Sequence, residues 1–387
     1  MRKLFLNKNT IKNGYLWFFS NEIANINDYS QGEIVNIYKK NNDFICTGYV
    51  NPHSLIAARV LSFKDELIDE TFFINRFKKA LFLREQLYKL PFYRLIYSES
   101  DFLPGLVIDR YDNTFSIQIN TAGMENLKPM IECALKNLFE NPILIYKNDS
   151  HSRVLENLTE QGLSSENTSS LQCIVIENDI KIKVDITGGQ KTGYFYDQRN
   201  NRKILQNISK DKYVLDLFSY TGSFGLNALA GGAKKVDFVD TSANALELAR
   251  ENVLLNNFDI SKCNFYNKEA VSFLKDLEKS QIKPDIIIVD PPAYTKSKKL
   301  VKQAIEGYIN LNKWAFKTIK RDGFILTFSC SHHIFEDTFT NAIKKAAASA
   351  AKSRYVILQR LYQSYDHPIN PEMEETKYLK GLFLFVY

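Results

Sequence analysis

With 387 residues, 45% hydrophobic and 24% charged, the chain is long enough for two or three domains and has the composition of a globular protein. No run of eighteen apolar residues occurs, and Met1-Arg2-Lys3-Leu4-Phe5-Leu6-Asn7-Lys8 lacks an apolar core and a small-residue cleavage site, which excludes a helical membrane span and a secretory signal. The net charge of +6 is mild, but residues 1–64 hold eight Lys or Arg against four Asp or Glu, an excess that reads either as a solvated surface or as the footprint of a polyanionic partner.

In chain order, residues 1–64 read as a small β-rich module. Ile34–Tyr38 alternates, Lys39–Asp43 makes a polar turn, Phe44–Val50 resumes strand chemistry and Leu55–Leu61 is a further strand. The period then changes: Phe73, Phe77, Ala80, Leu81 and Leu87 predict a helix within 65–89. Gly105–Asp109 and Phe115–Ile119 flank Asp112-Asn113, a hairpin signal. A helix near Asn126–Phe139, a strand near Ile143–Tyr146, a polar loop over Asn157–Ser170 and two strands, Gln172–Glu177 and Ile180–Asp185, complete an α+β middle domain over 65–185. From 186 to 387 strands and helices alternate. The strands are Tyr213–Phe218, Lys235–Val239, Cys263–Tyr266, Asp285–Val289 and Gly323–Ser329; Asn244–Asn256 and Val301–Ile319 are helical, and strands near Tyr355–Gln359 and Leu382–Tyr387 close the chain. Such alternation implies a doubly wound, mostly parallel sheet, so the fold class is α/β with a Rossmann-like C-terminal domain.

In sheets of this kind, ligands bind at the carboxyl ends of the strands. The first strand carries Asp216 and runs into Phe218-Ser219-Tyr220-Thr221-Gly222, a turn where glycine lets a ligand approach the backbone and Asp216 can face a cationic amine. No Walker Gly-Lys-Ser/Thr follows, and the nicotinamide fingerprint Gly-x-Gly-x-x-Gly is absent. Asp240 ends the second strand, where a carboxylate suits a ribose diol, and Thr241-Ser242 cap the next helix. Glu269 reads equally as a helix-capping acid and as a partner for an adenine amine. The fourth strand runs into Asp290-Pro291-Pro292-Ala293, whose prolines bend the chain away and present Asp290. The fifth ends Phe328-Ser329-Cys330-Ser331; a cysteine is more often core, but a thiol in this crevice can serve as a nucleophile once deprotonated. Cys46, Cys133, Cys173, Cys263 and Cys330 include no Cys-x-x-Cys, and His332-His333 are adjacent, so neither a disulfide framework nor a metal site is expected, and the chain fits a reducing cytoplasm.

Taken together, these motifs resemble class I S-adenosylmethionine-dependent methyltransferases and, more closely, bacterial 23S rRNA cytosine-C5 methyltransferases of the RlmI type. The resemblance runs through Trp17–Ser20, Glu99–Gly105, Gly189-Gln190-Lys191-Thr192-Gly193-Tyr194-Phe195-Tyr196-Asp197-Gln198-Arg199, Phe218–Gly222, Asp290–Pro292, Phe328–Ser331 and Tyr378-Leu379-Lys380-Gly381. It implies an RNA-binding PUA-like domain over residues 1–64 and S-adenosyl-L-methionine as cofactor. Asp216, Thr221 and Gly222 would hold its methionine end and Asp240 its ribose, with Glu269 by the adenine and Gln198 close by; Phe218, Ser219, Tyr220, Thr241, Ser242 and Asp290 would complete the cofactor-binding set. Cys330 would be the nucleophile, and Asp290 would contact the target cytosine. The alternatives are methylation of a guanine or an exocyclic amine, and a non-catalytic RNA-binding protein that keeps the fold. The Asp-Pro-Pro motif also occurs in enzymes of amino groups and guanine, but Ala293 stands where those often carry an aromatic. No membrane partner is expected. Homodimer formation and the modified nucleotide are not derivable from the residues.

Overall fold

The structure, a computed structural model, describes residues 1–160, 171–189, 192–295, 298–352 and 354–387. Part of the expected 157–170 loop (residues 161–170), and Gln190 and Lys191 of the motif before Arg199, lie outside the described residues. By packing, the chain forms two units: Met1–Cys173 with Asp185–Tyr196 and Tyr365–Thr376, and Ile174–Val184 with Asp197–Ser364 and Lys377–Tyr387.

The first unit holds two apolar cores. One lies within a five-stranded sheet in the order Arg2–Phe5, Glu33–Tyr38, Phe44–Val50, Ala58–Ser62, Trp17–Phe18, packed around Leu4, Val35, Ile37, Val50 and Val60. The strand expected from Leu55 begins only at Ala58: Leu55 is 73% exposed, and the Asn51 amide closes a turn on the Ala57 carbonyl at 2.7 Å. The second core gathers Phe73, Phe77, Leu95, Ile108, Phe115 and Ile131 between a four-stranded sheet and two helices, Glu70–Leu87 and Lys128–Leu138. Asp69 caps the first of these helices, accepting the Phe72 amide at 2.9 Å. Asp112, at φ 57, makes the hairpin turn.

The second unit carries the α/β sheet. Its strands are β1 (Tyr213–Leu217), β2 (Lys235–Asp240), β3 (Cys263–Asn267), β4 (Ile286–Val289), β5 (Gly323–Ser329), β6 (Tyr355–Tyr362) and β7 (Lys380–Val386). Its helices are α1 (Arg199–Ile208), α2 (Ser223–Ala230), α3 (Ala243–Leu255), α4 (Ala270–Glu278), α5 (Val301–Thr318) and α6 (Glu336–Ser349). The spatial order is β3-β2-β1-β4-β5-β7-β6; β1 to β5 run parallel, β7 is antiparallel to β5, and β6 antiparallel to β7. Every residue of β1 and β4 is buried, as expected of central strands covered by helices on both faces. The winding reverses between β1 and β4, whose register pairs Leu217 with Val289, so their carboxyl ends open side by side. The hairpin Gln172–Glu177/Ile180–Asp185, assigned from sequence to the middle domain, contributes Ile174–Val184 to this unit.

Candidate active site

The first element of the site is a carboxylate inside an apolar strand. Asp216 is 1% exposed; its Oδ2 accepts the Gly225 amide of α2 at 2.9 Å, and its Oδ1 has no protein partner. Burial pushes this carboxyl up to about 8; the Gly225 amide and the Arg202 guanidinium oppose the shift, and the charges of Asp290 and Asp240 reinforce it. The Ser219 hydroxyl is likewise buried without a partner.

The chain leaves β1 through residues that turn left-handed: Phe218 at φ 61, Tyr220 at φ 47 and Gly222 at φ 83. Two non-glycine residues in that region imply a turn imposed by its surroundings. The Ser219 amide donates to the Val239 carbonyl at 3.1 Å, and the Tyr220 amide to Asp240 Oδ2 at 2.9 Å. Gly222 is required by its own protein: a Cβ there would meet Ala249 Cβ at 2.9 Å and Phe238 Cε1 at 3.1 Å. By sequence the glycine turn reads equally as a ligand approach and as a purely structural turn; packing of the turn on β2 and α3 is reason enough for the glycine.

Asp240 ends β2 and ties two loops. Besides Tyr220, it accepts the Ser242 amide through Oδ1 at 2.9 Å, and each oxygen keeps a lone pair for a ribose hydroxyl. Ser242 caps α3, accepting the Ala245 amide at 3.2 Å, whereas Thr241 is exposed beside it. Glu269 caps α4 with both oxygens, accepting the Val271 amide at 2.9 Å and the Ser272 amide at 2.7 Å. The capping role is thus present; its spare lone pairs remain for an adenine amine. Gln198 is buried at the start of α1, with its carbonyl accepting from Asn201 at 2.6 Å.

The ends of β4 and β5 hold the two candidate reactive residues. Asp290, half-buried, follows Val289, and the Cys330 thiol lies 3.8 Å from the Pro291 carbonyl. The Asp-Pro-Pro turn and the cysteine therefore meet at neighbouring strand ends. His332 is exposed and stacks on Tyr378 with centroids 5.6 Å apart.

Several supporting residues were missed in the sequence. Arg202 and Arg199 of α1 bury themselves against Glu177, at 2.5 Å and 3.2 Å. Asn252 of α3 donates to the Thr221 carbonyl at 3.1 Å and accepts the Lys183 amide at 2.7 Å, so one amide fixes both the turn and the neighbouring strand. Lys380 places its ammonium 2.7 Å from the carbonyls of Ser331 and Ile334. The sequence signal for Lys380 was a lysine opening an otherwise apolar strand, Lys-Gly-Leu-Phe-Leu-Phe-Val.

S-adenosylmethionine carries a sulfonium and an ammonium, and the residues fit it. Asp216, Asp240 and Asp290 bring carboxyl groups to three strand ends, and the partnerless Asp216 Oδ1, whose charge burial disfavours, suits a cationic donor. Among the described residues no cluster of metal-ligating side chains forms, and no helix is long and apolar enough to cross a membrane.

Residues 151–312 match a family described as S-adenosylmethionine-dependent methyltransferase, and residues 7–63 match a PUA-like domain. The chain is 38% identical to the ribosomal RNA large subunit methyltransferase I of Pseudoalteromonas translucida, over 98% of this chain and 97% of that one. It is 39% identical to the protein of the same name from Tolumonas auensis, over 95% and 94%. A solved methyltransferase from Streptococcus mutans shares the fold at TM-score 0.83 and 23% identity, covering 100% of both chains. Another, in complex with SAH, does so at TM-score 0.85 and 24% identity, again over 100% of both.

Proposed function

The chain belongs to the family of the ribosomal RNA large subunit methyltransferases I, S-adenosylmethionine-dependent enzymes, and from that membership we propose that it methylates carbon 5 of a cytosine in 23S rRNA through a covalent bond to Cys330. The observation that carries this reading is the meeting of the Cys330 thiol with the Asp290-Pro291-Pro292 turn, at 3.8 Å, on the same sheet edge as Asp216 and Asp240.

Carbon 5 of cytosine is a weak nucleophile. The Cys330 thiolate adds to carbon 6, forming an S–C6 bond and pushing the C5=C6 electron pair toward carbon 5. As N3 takes up a proton, the Asp290 carboxylate accepts the N3–H hydrogen bond and so offsets the charge that builds on the ring. S-adenosylmethionine would supply the electrophilic methyl, which bonds to carbon 5 as its bond to the sulfonium sulfur breaks and S-adenosylhomocysteine leaves. Loss of the carbon-5 proton to water or a base then restores the C5=C6 double bond, and the S–C6 pair returns to the Cys330 sulfur. The cofactor-binding set is Asp216, the turn Phe218–Gly222, Asp240 with Thr241 and Ser242, Glu269 and Gln198. The target base must leave its stack to enter such a pocket, and the PUA-like module supplies phosphate and shape contacts.

The test is transfer of labelled methyl from S-adenosylmethionine to bacterial large-subunit rRNA, followed by nucleoside analysis. The expected label is 5-methylcytosine, reduced by at least about 10³-fold in Cys330→Ala. Label in a guanine or an exocyclic amine that survives Cys330→Ala refutes the reading.

A further inference from the structure

Lys380 opens β7 and pairs in register with Ser329, one residue before Cys330. It is only 5% exposed. Its ammonium donates to the Ser331 and Ile334 carbonyls, both at 2.7 Å, and no carboxylate lies within 4 Å of it among the described residues. The turn it holds is closed by the Ile334 amide on the Ser331 carbonyl at 3.1 Å, and Ser331 is anchored to the Tyr308 hydroxyl at 3.1 Å. Neutral carbonyls satisfy the donors of a buried ammonium but leave its charge without a counter-charge.

We propose that Lys380 is a positioning residue that fixes the turn after Cys330 and provides the positive charge against which the Cys330 thiolate forms. The proposal rests on Cys330 being the nucleophile. Among the described residues, titratable groups near this pair come from several elements. Tyr308, on α5, is held neutral by burial. Glu336, on α6, is engaged by Arg360 and Lys377, both at 2.6 Å, and by Tyr362 at 3.0 Å. His332 is turned to Tyr378, and Asp290, at the end of β4, opposes a second negative charge. Lys380 is thus a buried cation bonded to the carbonyl of the residue after Cys330, and its ammonium is pushed down to about 8 by burial, with the Cys330 charge pulling the other way.

The experiment follows alkylation of Cys330 by iodoacetamide in the full-length protein as a function of pH, by mass spectrometry of its peptide. The wild-type midpoint is expected below about 8.5, the ordinary thiol value. Lys380→Met is expected to raise it by about one pH unit, a roughly tenfold slower reaction at pH 7, with Lys380→Arg recovering most of the loss. A wild-type midpoint at or above the ordinary value overturns the proposal, even if Lys380→Met does not fold. So does an unchanged midpoint in a folded Lys380→Met protein, as judged by its thermal melt. Methyl transfer by Cys330→Ala is measured alongside: its retention would remove the nucleophile reading, while the alkylation curve still decides whether Lys380 tunes the thiol.

Discussion

At the scale of single residues, the site depends on a carboxylate held where the free protein disfavours its charge. Asp216 is pushed up to about 8, chiefly by burial. Its folded value lies above the unfolded value of about 3.9, so the folded state binds the extra proton between those limits. Stability of the ligand-free protein therefore falls as pH rises from about 4 to about 8, by at most about 1.4 kcal/mol per pH unit. Thermal melts of Asp216→Asn are expected to lack that slope. The ammonium that S-adenosylmethionine and S-adenosylhomocysteine share binds the ionised form, so affinity for S-adenosylhomocysteine is expected to rise with pH up to about 8, as calorimetry at several pH values can read. Asp216→Asn, which keeps an acceptor for the Gly225 amide, is expected to weaken that binding about 10–100-fold. Affinity flat from pH 6 to 8 would contradict this role. Gly225 makes a different demand: a Cβ there would lie 2.1 Å from Phe238 Cε1, so Gly225→Ala is expected to destabilise by about 1–3 kcal/mol in urea unfolding.

At the scale of elements, β1 to β5 were legible because each is a short apolar run that ends in turn chemistry, and their ends carried the candidate carboxylates and Cys330. Elements without that signature escaped. Arg2–Phe5 has a single buried side chain, and Phe92–Tyr97 follows the preceding helix after only four residues and shows no apolar–polar alternation. The alanine- and lysine-rich α6 has only two large side chains, Phe339 and Ile343, on a buried face otherwise made by Thr340, Ala342, Ala346 and Ala347. Supporting side chains escaped for another reason: their partners are distant in sequence. Glu177 meets Arg202, and Asn252 meets Lys183, through tertiary packing that no local pattern announces. The Glu177 cluster makes a sharp prediction. Glu177→Ala removes a buried carboxylate shared by two buried guanidinium groups, at an expected cost of about 3–5 kcal/mol in denaturant unfolding. A loss below about 1 kcal/mol would mean that other contacts already satisfy the arginines.

At the scale of the whole molecule, the chain couples a PUA-like module to a methyltransferase sheet, and the excess of basic residues lies in the segment that matches the module. RNA affinity is therefore expected to fall with salt, by a slope of about 0.7 per phosphate neutralised on a single strand, whereas S-adenosylhomocysteine binding should respond weakly. Equal salt dependence for both ligands would remove the electrostatic role of the basic segment. The central claim is covalent catalysis by Cys330 at cytosine. RNA carrying 5-fluorocytidine tests it most directly, because fluorine replaces the proton whose loss releases the enzyme. Incubated with the enzyme and S-adenosylmethionine, such RNA should yield an adduct stable to denaturation, with the crosslink on the Cys330 peptide and none formed by Cys330→Ala. An adduct on another residue, or none from an enzyme that methylates the unfluorinated RNA at carbon 5, would contradict the account.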